Sequence, residues 1–213
     1  SRGWYSSDDH LHIARPIKEV DPYVSRIMQA EDIHIANLLQ MGQADHFKVT
    51  PQYTHGPTSE YREGNYILIS GQENPGTHLL GHSITLGAKR ALNIPDKYLI
   101  YRSLWEDAAR QGALNGYAHW GIAGNHGEAH GLPVLLPHSL LNFIEILNLN
   151  QLNYALWYDV LNMGFRVTPT AGTDYPCAAP PRLPGHERFY TKVEGELTYK
   201  NWLESVRDGK TFV

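Results

Sequence analysis

Asp8-Asp9-His10-Leu11-His12 sets two imidazoles two residues apart inside a stretch, Tyr5 to Ile13, that reads as a β-strand. On a strand, positions i and i+2 point to the same face, so His10 and His12 present two ring nitrogens to one point. That is a metal-ligand spacing, and imidazole suits several transition metals without choosing among them. A bare His-x-His is also what an ordinary pair of surface histidines looks like. Its weight therefore depends on what the rest of the chain brings to the same place.

Downstream, the pattern alternates. Asp21 caps a helix from Pro22 to Ala30, and Ile33 to Leu39 reads as a buried strand. Residues 42–64 are polar and without period, a long loop. Tyr66 to Ser70 is a strong β run leading into Gly71-Gln72-Glu73-Asn74-Pro75, and Gly81 to Leu86 is a second run after a tight Pro75-Gly76 turn. Tyr98 to Gln111 is an amphipathic helix stopped by Gly112, and Leu114 to His119 a strand. A Gly- and His-rich loop from Gly121 to Gly131 follows, then a helix end or strand at Leu140 to Leu147 and a helix at Leu152 to Met163. Phe165 to Ala171 is a strand ending at Gly172-Thr173-Asp174, Pro176 to Gly185 is loop, and Tyr199 to Asp208 is the last helix.

Strand, polar loop and helix thus recur about six times, which argues a parallel sheet covered by helices and closed into a barrel. In such a barrel the residues just past each strand gather at one mouth. Here they are His10, His12, Glu73, His82, His119 and Asp174, all metal-ligand types. Singly each has a plainer structural reading: Glu73 a turn carboxylate, His82 a strand-face residue, His119 a buried ring stacked on Trp120, Asp174 a helix cap. Those readings do not explain why all six fall at strand ends.

Composition narrows the partners. The net charge is −4 with His neutral, and no Lys/Arg cluster exceeds a pair, so the chain lacks an electrostatic footprint for nucleic acid. No apolar run approaches the ~18 residues needed to span a bilayer, and Ser1-Arg2-Gly3-Trp4-Tyr5 has no signal-peptide core. Cys177 is the one cysteine, so no internal disulfide forms and the redox compartment stays open. The 12 histidines, many for 213 residues, favour metal chemistry. The length predicts a single domain over 1–213, and the abrupt ends suggest a piece of a longer chain; the expected partner is a small-molecule substrate, with oligomeric state undetermined.

The ordered set Gly3 to His12, Gly71-Gln72-Glu73, Gly81-His82, Gly116-Tyr117-Ala118-His119, Phe143-Ile144-Glu145-Ile146 and Gly172-Thr173-Asp174 resembles the polymerase-and-histidinol-phosphatase (PHP) superfamily of metal hydrolases. Within it, the chain looks like the CehA/McbA-like metallohydrolases. The resemblance covers nearly the whole chain and implies a distorted TIM-like (β/α)7 barrel. It assigns His10, His12, Glu73 and Asp174 to a first metal, with Glu73 bridging to a second held by His82 and His119. Fuller members hold three metals; this chain has Arg15-Pro16, Ala36-Asn37-Leu38 and Tyr175-Pro176 where the remaining ligands would stand. One or two divalent ions, zinc, manganese or iron, are therefore expected, with Glu31, Asp32 and His34 as candidate substitutes at the lost second position.

Water on such ions ionises near neutral pH and serves as the nucleophile, with Glu73, Asp174 and His119 as the residues at the reacting centre. The reading is a phosphoesterase, or by the same resemblance a hydrolase of carbamates, esters or amides. The rival is a non-catalytic binding or assembly module that keeps a structural metal, which the lost ligands favour. Cys177 has no nucleophile signature around it and reads as packing. Tyr117, Tyr175, His55 and Arg188 are weaker candidates for contacts around the site; His126, His130 and His138 read as surface.

Overall fold

β1 (Trp4–Leu11), β2 (Ile35–Met41) and β4 (Tyr66–Thr77) lie side by side and parallel. So do β6 (Leu114–Tyr117), β7 (Phe143–Asn148) and β9 (Thr168–Ala171). Between the two groups, β5 (Gly81–Leu86) runs antiparallel to both β4 and β6. β3 (Tyr61–Glu63) pairs with β4, β8 (Gln151–Leu152) folds back on β7, and β10 (Phe189–Lys192) with β11 (Thr211–Phe212) extends the sheet antiparallel beyond β1. This computed structural model describes residues 3–42, 49–77, 80–93, 99–119, 130–177 and 182–213.

The expected (β/α)7 barrel is therefore corrected. Among the described residues the chain is one curled, mixed sheet of 11 strands, a half-barrel with only five short helices. The physical reason is the connection after Glu73. A parallel neighbour needs a crossover of a dozen or more residues, whereas β4 and β5 are joined by a short connection that can only reverse the chain. β10 and β11 add two more antiparallel strands that the helical spacing of the sequence does not announce.

Alternation along the strands sorts the side chains into layers. Ile35 and Leu39 of β2, Ile67 and Ile69 of β4, and Phe143 of β7 face the concave side. There they meet Tyr199, Trp202 and Val206 of α5 (Tyr199–Arg207), which plugs one end of the curl. Thr198 caps this helix by accepting from Asn201 N–H (3.1 Å). Trp202 is fully buried and donates its indole N–H to Ser7 Oγ (2.8 Å); loss of a side chain this size from a core costs roughly 3–5 kcal/mol. The intervening residues Ala36, Leu38 and Leu68 face outward and bury against Val24 and Met28 of α1 (Asp21–Ala30). Tyr101 and Trp105 of α2 (Tyr101–Arg110), Leu135 of α3 (Leu132–Leu135) and Val160 of α4 (Tyr154–Asn162) cover the other flank.

The plug leaves the opposite end of the concave face to polar residues. Following the inner face of β4 from Ile67 and Ile69 past Gly71 leads to Glu73. Along β7, Glu145 lies two residues beyond Phe143 on that same face.

Candidate metal centre

Two local backbone devices bring the histidines to this end. Tyr5 and Ser7 contact the inner layer while Leu11 packs outward with α1, so the alternation of β1 changes phase between them. The β1–β2 register shifts between Asp8 and Leu11, a bulge that turns the consecutive residues Asp9 and His10 to one side. His12 then falls on the face of His10, as its spacing predicts, and their Nε2 atoms are 3.1 Å apart. Just past β6, Ala118 packs into the inner layer; His119 then turns at φ +32° and brings its ring to within 5.0 Å of His82 and 5.7 Å of His10, centroid to centroid. Asp174 also has a left-handed φ (+54°). Such conformations cost non-glycine residues of order 1–3 kcal/mol and concentrate at functional sites.

All six sequence candidates come together here, in two groups. His10, His12 and Asp174 form one and Glu73, His82 and His119 the other, the potential ligand atoms within each lying within 4.8 Å of one another. Glu73 stands between them. Its Oε2 faces His12 Nε2 (3.1 Å) and His10 Nε2 (3.6 Å), and its Oε1 faces His82 Nδ1 (2.7 Å) and His119 Nε2 (3.8 Å). Asp174 Oδ1 closes the first group at 3.2 Å from His12 and 3.4 Å from His10. His10 is on β1, and Glu73 lies opposite Met41 where β2 ends. His12, His119 and Asp174 lie just past β1, β6 and β9. His82 differs: it is the second residue of β5, and reaches the same rim because that strand runs the other way.

The donor set fits a cation. A carboxylate or carbonyl only accepts, so His10 Nδ1–H donates to Glu145 Oε1 (2.9 Å) and His12 Nδ1–H to Leu39 O (3.4 Å). In the neutral form each ring therefore turns an Nε2 lone pair toward the other and toward Glu73 and Asp174. With neutral rings those lone pairs converge, and buried Glu73 Oε2 has no hydrogen-bond partner, so the cluster calls for positive charge among its ligand atoms, either added protons on Nε2 or a metal ion. Acceptors on the far ring nitrogen are how metal-binding histidines are commonly oriented.

The field at this end favours positive charge. Burial alone would push His12 down, but Asp174 and Glu73 beside it raise it to about 9. His10 is likewise raised against burial by Glu145, Asp174 and Glu73. Burial opposes the charge of Glu73 too, yet His10 and the neighbouring rings hold it well below the usual carboxylate range, and His10 and His12 lower Asp174. Two carboxyls behind the centre behave oppositely. Burial lifts Asp8 to about 6 despite its bonds to Thr173, His10 N–H and Gly185 N–H, and burial with the charge of Glu145 lifts Asp9 well above its normal range.

The weaker candidates separate. Tyr175 contributes its backbone, its carbonyl accepting His12 N–H at 2.6 Å. Tyr117 is buried in the outer layer against Trp105. Arg188 is turned away, donating to the carbonyls of Gly185 and Glu31 (2.9 Å to Glu31). His55 precedes Gly56, which packs on Lys89 past the far end of β5. His34 stacks on Tyr66 and contacts Ser6 Oγ (2.8 Å) just ahead of β2, at the end opposite the centre; with Asp32 beside it, this pair is not a substitute ligand set. His130 and His138 are exposed. His126 and Trp120 lie outside the described residues. Sequence reasoning assigned no role to Glu145, although Phe143-Ile144-Glu145-Ile146 is among the stretches that carry the resemblance and sets a carboxylate in an otherwise apolar run.

No family model matches the chain, and no curated protein matches it. Solved structures do. PsfC from Pseudomonas syringae PB-5123 aligns over 95% of this chain and 89% of its own at 13% identity, with a TM-score of 0.60. A two-domain protein from Bacteroides vulgatus, described as containing a predicted PHP-like metal-dependent phosphoesterase, aligns over 98% of this chain at 14% identity and TM-score 0.62. The lesion-specific endonuclease PfuEndoQ from Pyrococcus furiosus aligns over 97% at 12% identity and TM-score 0.57. The chain spans 64% and 56% of the length of the last two. At these identities the likeness is one of fold.

Proposed function

We propose that this chain is a metal-dependent hydrolase of phosphoesters, in which His10, His12 and Asp174 hold one divalent ion, His82 and His119 hold a second, and Glu73 is shared. The observation that carries the reading is Glu73, whose two oxygens face two separate groups of ring nitrogens at 2.7–3.8 Å. A structural site is closed and needs no bridging carboxylate. Divalent ions at such a centre supply Lewis-acid charge to the group under attack and lower the pKa of water toward 7.

The chain's own residues then orient and insulate. Glu145 and Leu39 O fix the ring faces that His10 and His12 present, and burial of Glu73 and both rings keeps bulk water from screening their charges. Cys177 is not required as the nucleophile: partial burial and the charges of Asp174 and Glu73 push its thiol up to about 11 in the metal-free chain. Phosphoester chemistry is favoured over carbamate hydrolysis because two proteins of similar fold are described as a predicted phosphoesterase and an endonuclease.

The test is elemental analysis of the purified chain followed by assays on a phosphomonoester, a phosphodiester, an oligonucleotide and a carbamate. Turnover of a phosphorus ester that stops on chelation and returns with added metal is expected. Chelator-resistant turnover would overturn the reading. Bound metal with no turnover in any arm would leave the non-catalytic module instead.

A further inference from the structure

Glu145 is fully buried in β7, two residues beyond Phe143 on the inner face, and each of its oxygens serves a different ligand group. Oε1 accepts from the His10 ring Nδ1–H at 2.9 Å. Oε2 accepts from the backbone N–H of His119 at 2.5 Å and from Asn148 Nδ2 at 3.0 Å. The His119 bond falls at the residue whose φ of +32° takes it out of the strand, where an unsupported histidine would relax. One carboxylate therefore sets the tautomer of a ring in the first group and the backbone turn of a ring in the second.

We propose that Glu145 is the positioning residue that couples the two halves of the centre, so that neither group attains its ligating geometry without it. The inference rests on the metal reading above and deepens it. A carboxylate is suited to the position because it offers acceptors on both oxygens and no donor. The amide introduced by Glu145→Gln has one acceptor. If its nitrogen faced His10, that ring would have to move its proton to Nε2, the atom turned toward Glu73 and Asp174. If it faced His119 instead, the amide would set its own donors against the His119 N–H and the Asn148 side chain. Either way one group is lost or weakened, whereas a purely structural residue would weaken both by lowering fold stability alone.

The test is titration of Co(II) into apo-protein, followed by absorption spectroscopy and calorimetry, for the wild type, Glu145→Gln and Asn148→Ala, with thermal unfolding of each apo-protein as the check on folding. The wild type is expected to bind Co(II), and Glu145→Gln to weaken at least one ion about 10–100-fold, the usual effect of removing a group that orients a ligand. Asn148→Ala, which removes one of three donors and neither ligand contact, is expected to bind within a few-fold of wild type. Affinities unchanged within two-fold in a folded Glu145→Gln protein would overturn the role of Glu145 while leaving the metal reading intact. No Co(II) binding by the wild type would overturn both. If Glu145→Gln does not fold, ¹⁵N imidazole shifts of the zinc-loaded wild type decide: His10 protonated at Nδ1 supports the proposal, and His10 protonated at Nε2 refutes it.

Discussion

Replacing Gly172 with alanine tests the packing behind the candidate centre. A Cβ built on Gly172 would overlap His10 Cβ and would lie 2.6 Å from Glu145 Oε1 and 2.7 Å from Asp9 Oδ1. None of the three can yield cheaply: His10, Glu145 and Asp9 are fully buried, and the His10–Glu145 bond is 2.9 Å long. Overpacking of a tight interior costs about 1–3 kcal/mol, and here the methyl also presses on the bond that fixes His10. A change of ~2 kcal/mol in a chain of this length lowers Tm by roughly 4–8 °C. The assay is thermal unfolding of the apo-protein together with Co(II) titration. Gly195→Ala is the control: Gly195 has φ +79° but nothing within 4 Å of the place a methyl would occupy, so the change should cost about 1 kcal/mol and leave metal affinity alone. A Gly172→Ala protein with wild-type Tm and wild-type affinity would show instead that the layer behind His10 has room for a methyl group.

Three further outcomes are expected. Glu73→Gln should weaken the ion held by His82 and His119 more than His10→Ala does, because Glu73 is the only carboxylate in that group; elemental analysis should find one or two ions in the wild type, and three tightly held ions would contradict the ligand count. Apo-protein should lose stability as pH rises: His12 is raised from 6.5 to about 9, so its contribution is complete below about 6.5 and gone above about 9, and unfolding in chelator across that window checks the sign. Added metal should reverse the trend, since it replaces the proton and binds more tightly as pH rises. Cys177→Ser should change turnover by no more than a few-fold, since the proposed chemistry uses no protein nucleophile, and a covalent intermediate trapped on Cys177 would contradict this.

The ligand types were legible because each lies in or just past a short stretch whose local pattern marks a strand. His10 and His12 needed only a two-residue period, and Gly172 marked the turn before Asp174; the turn expected at Gly71 and Pro75-Gly76 is absent, because β4 continues through Glu73 to Thr77. Helix signals were equally local: α1, α2, α4 and α5 fall within a few residues of the expected ranges, although Asp21 starts α1 without capping it and binds Arg15 and Tyr53 instead. Strand direction was not legible. Nothing in Gly81 to Leu86 says that the run pairs antiparallel with both neighbours, and that reversal turns an expected barrel into a mixed half-barrel. β10 escaped because Phe189 to Lys192 is too short to show a period, whereas Thr211-Phe212-Val213 does read as a β-like run. Asp9 and Glu145 were out of reach for another reason: their roles depend on the bulge in β1 and on side chains more than a hundred residues away.

The two ligand groups differ in how much chain they join. Glu73 and His82 belong to one hairpin, 9 residues apart, and meet as soon as that hairpin forms. His10, His12 and Asp174 meet only when β1 is laid beside the segment after β9, a contact that Asp8 also fastens through Thr173 across 165 residues. An ion in the first group is thus a clasp between the two flanks of the sheet. Occupancy there reports that the curl has been drawn together, and at a free metal concentration 100 times its Kd the ion would hold it so with about 2.7 kcal/mol. Glu73 and His82 can meet early and locally, with His119 joining once β6 and β7 are paired, whereas the clasp needs the two flanks of the sheet. Metal supply would then act on this chain as a check on completed folding as well as on chemistry.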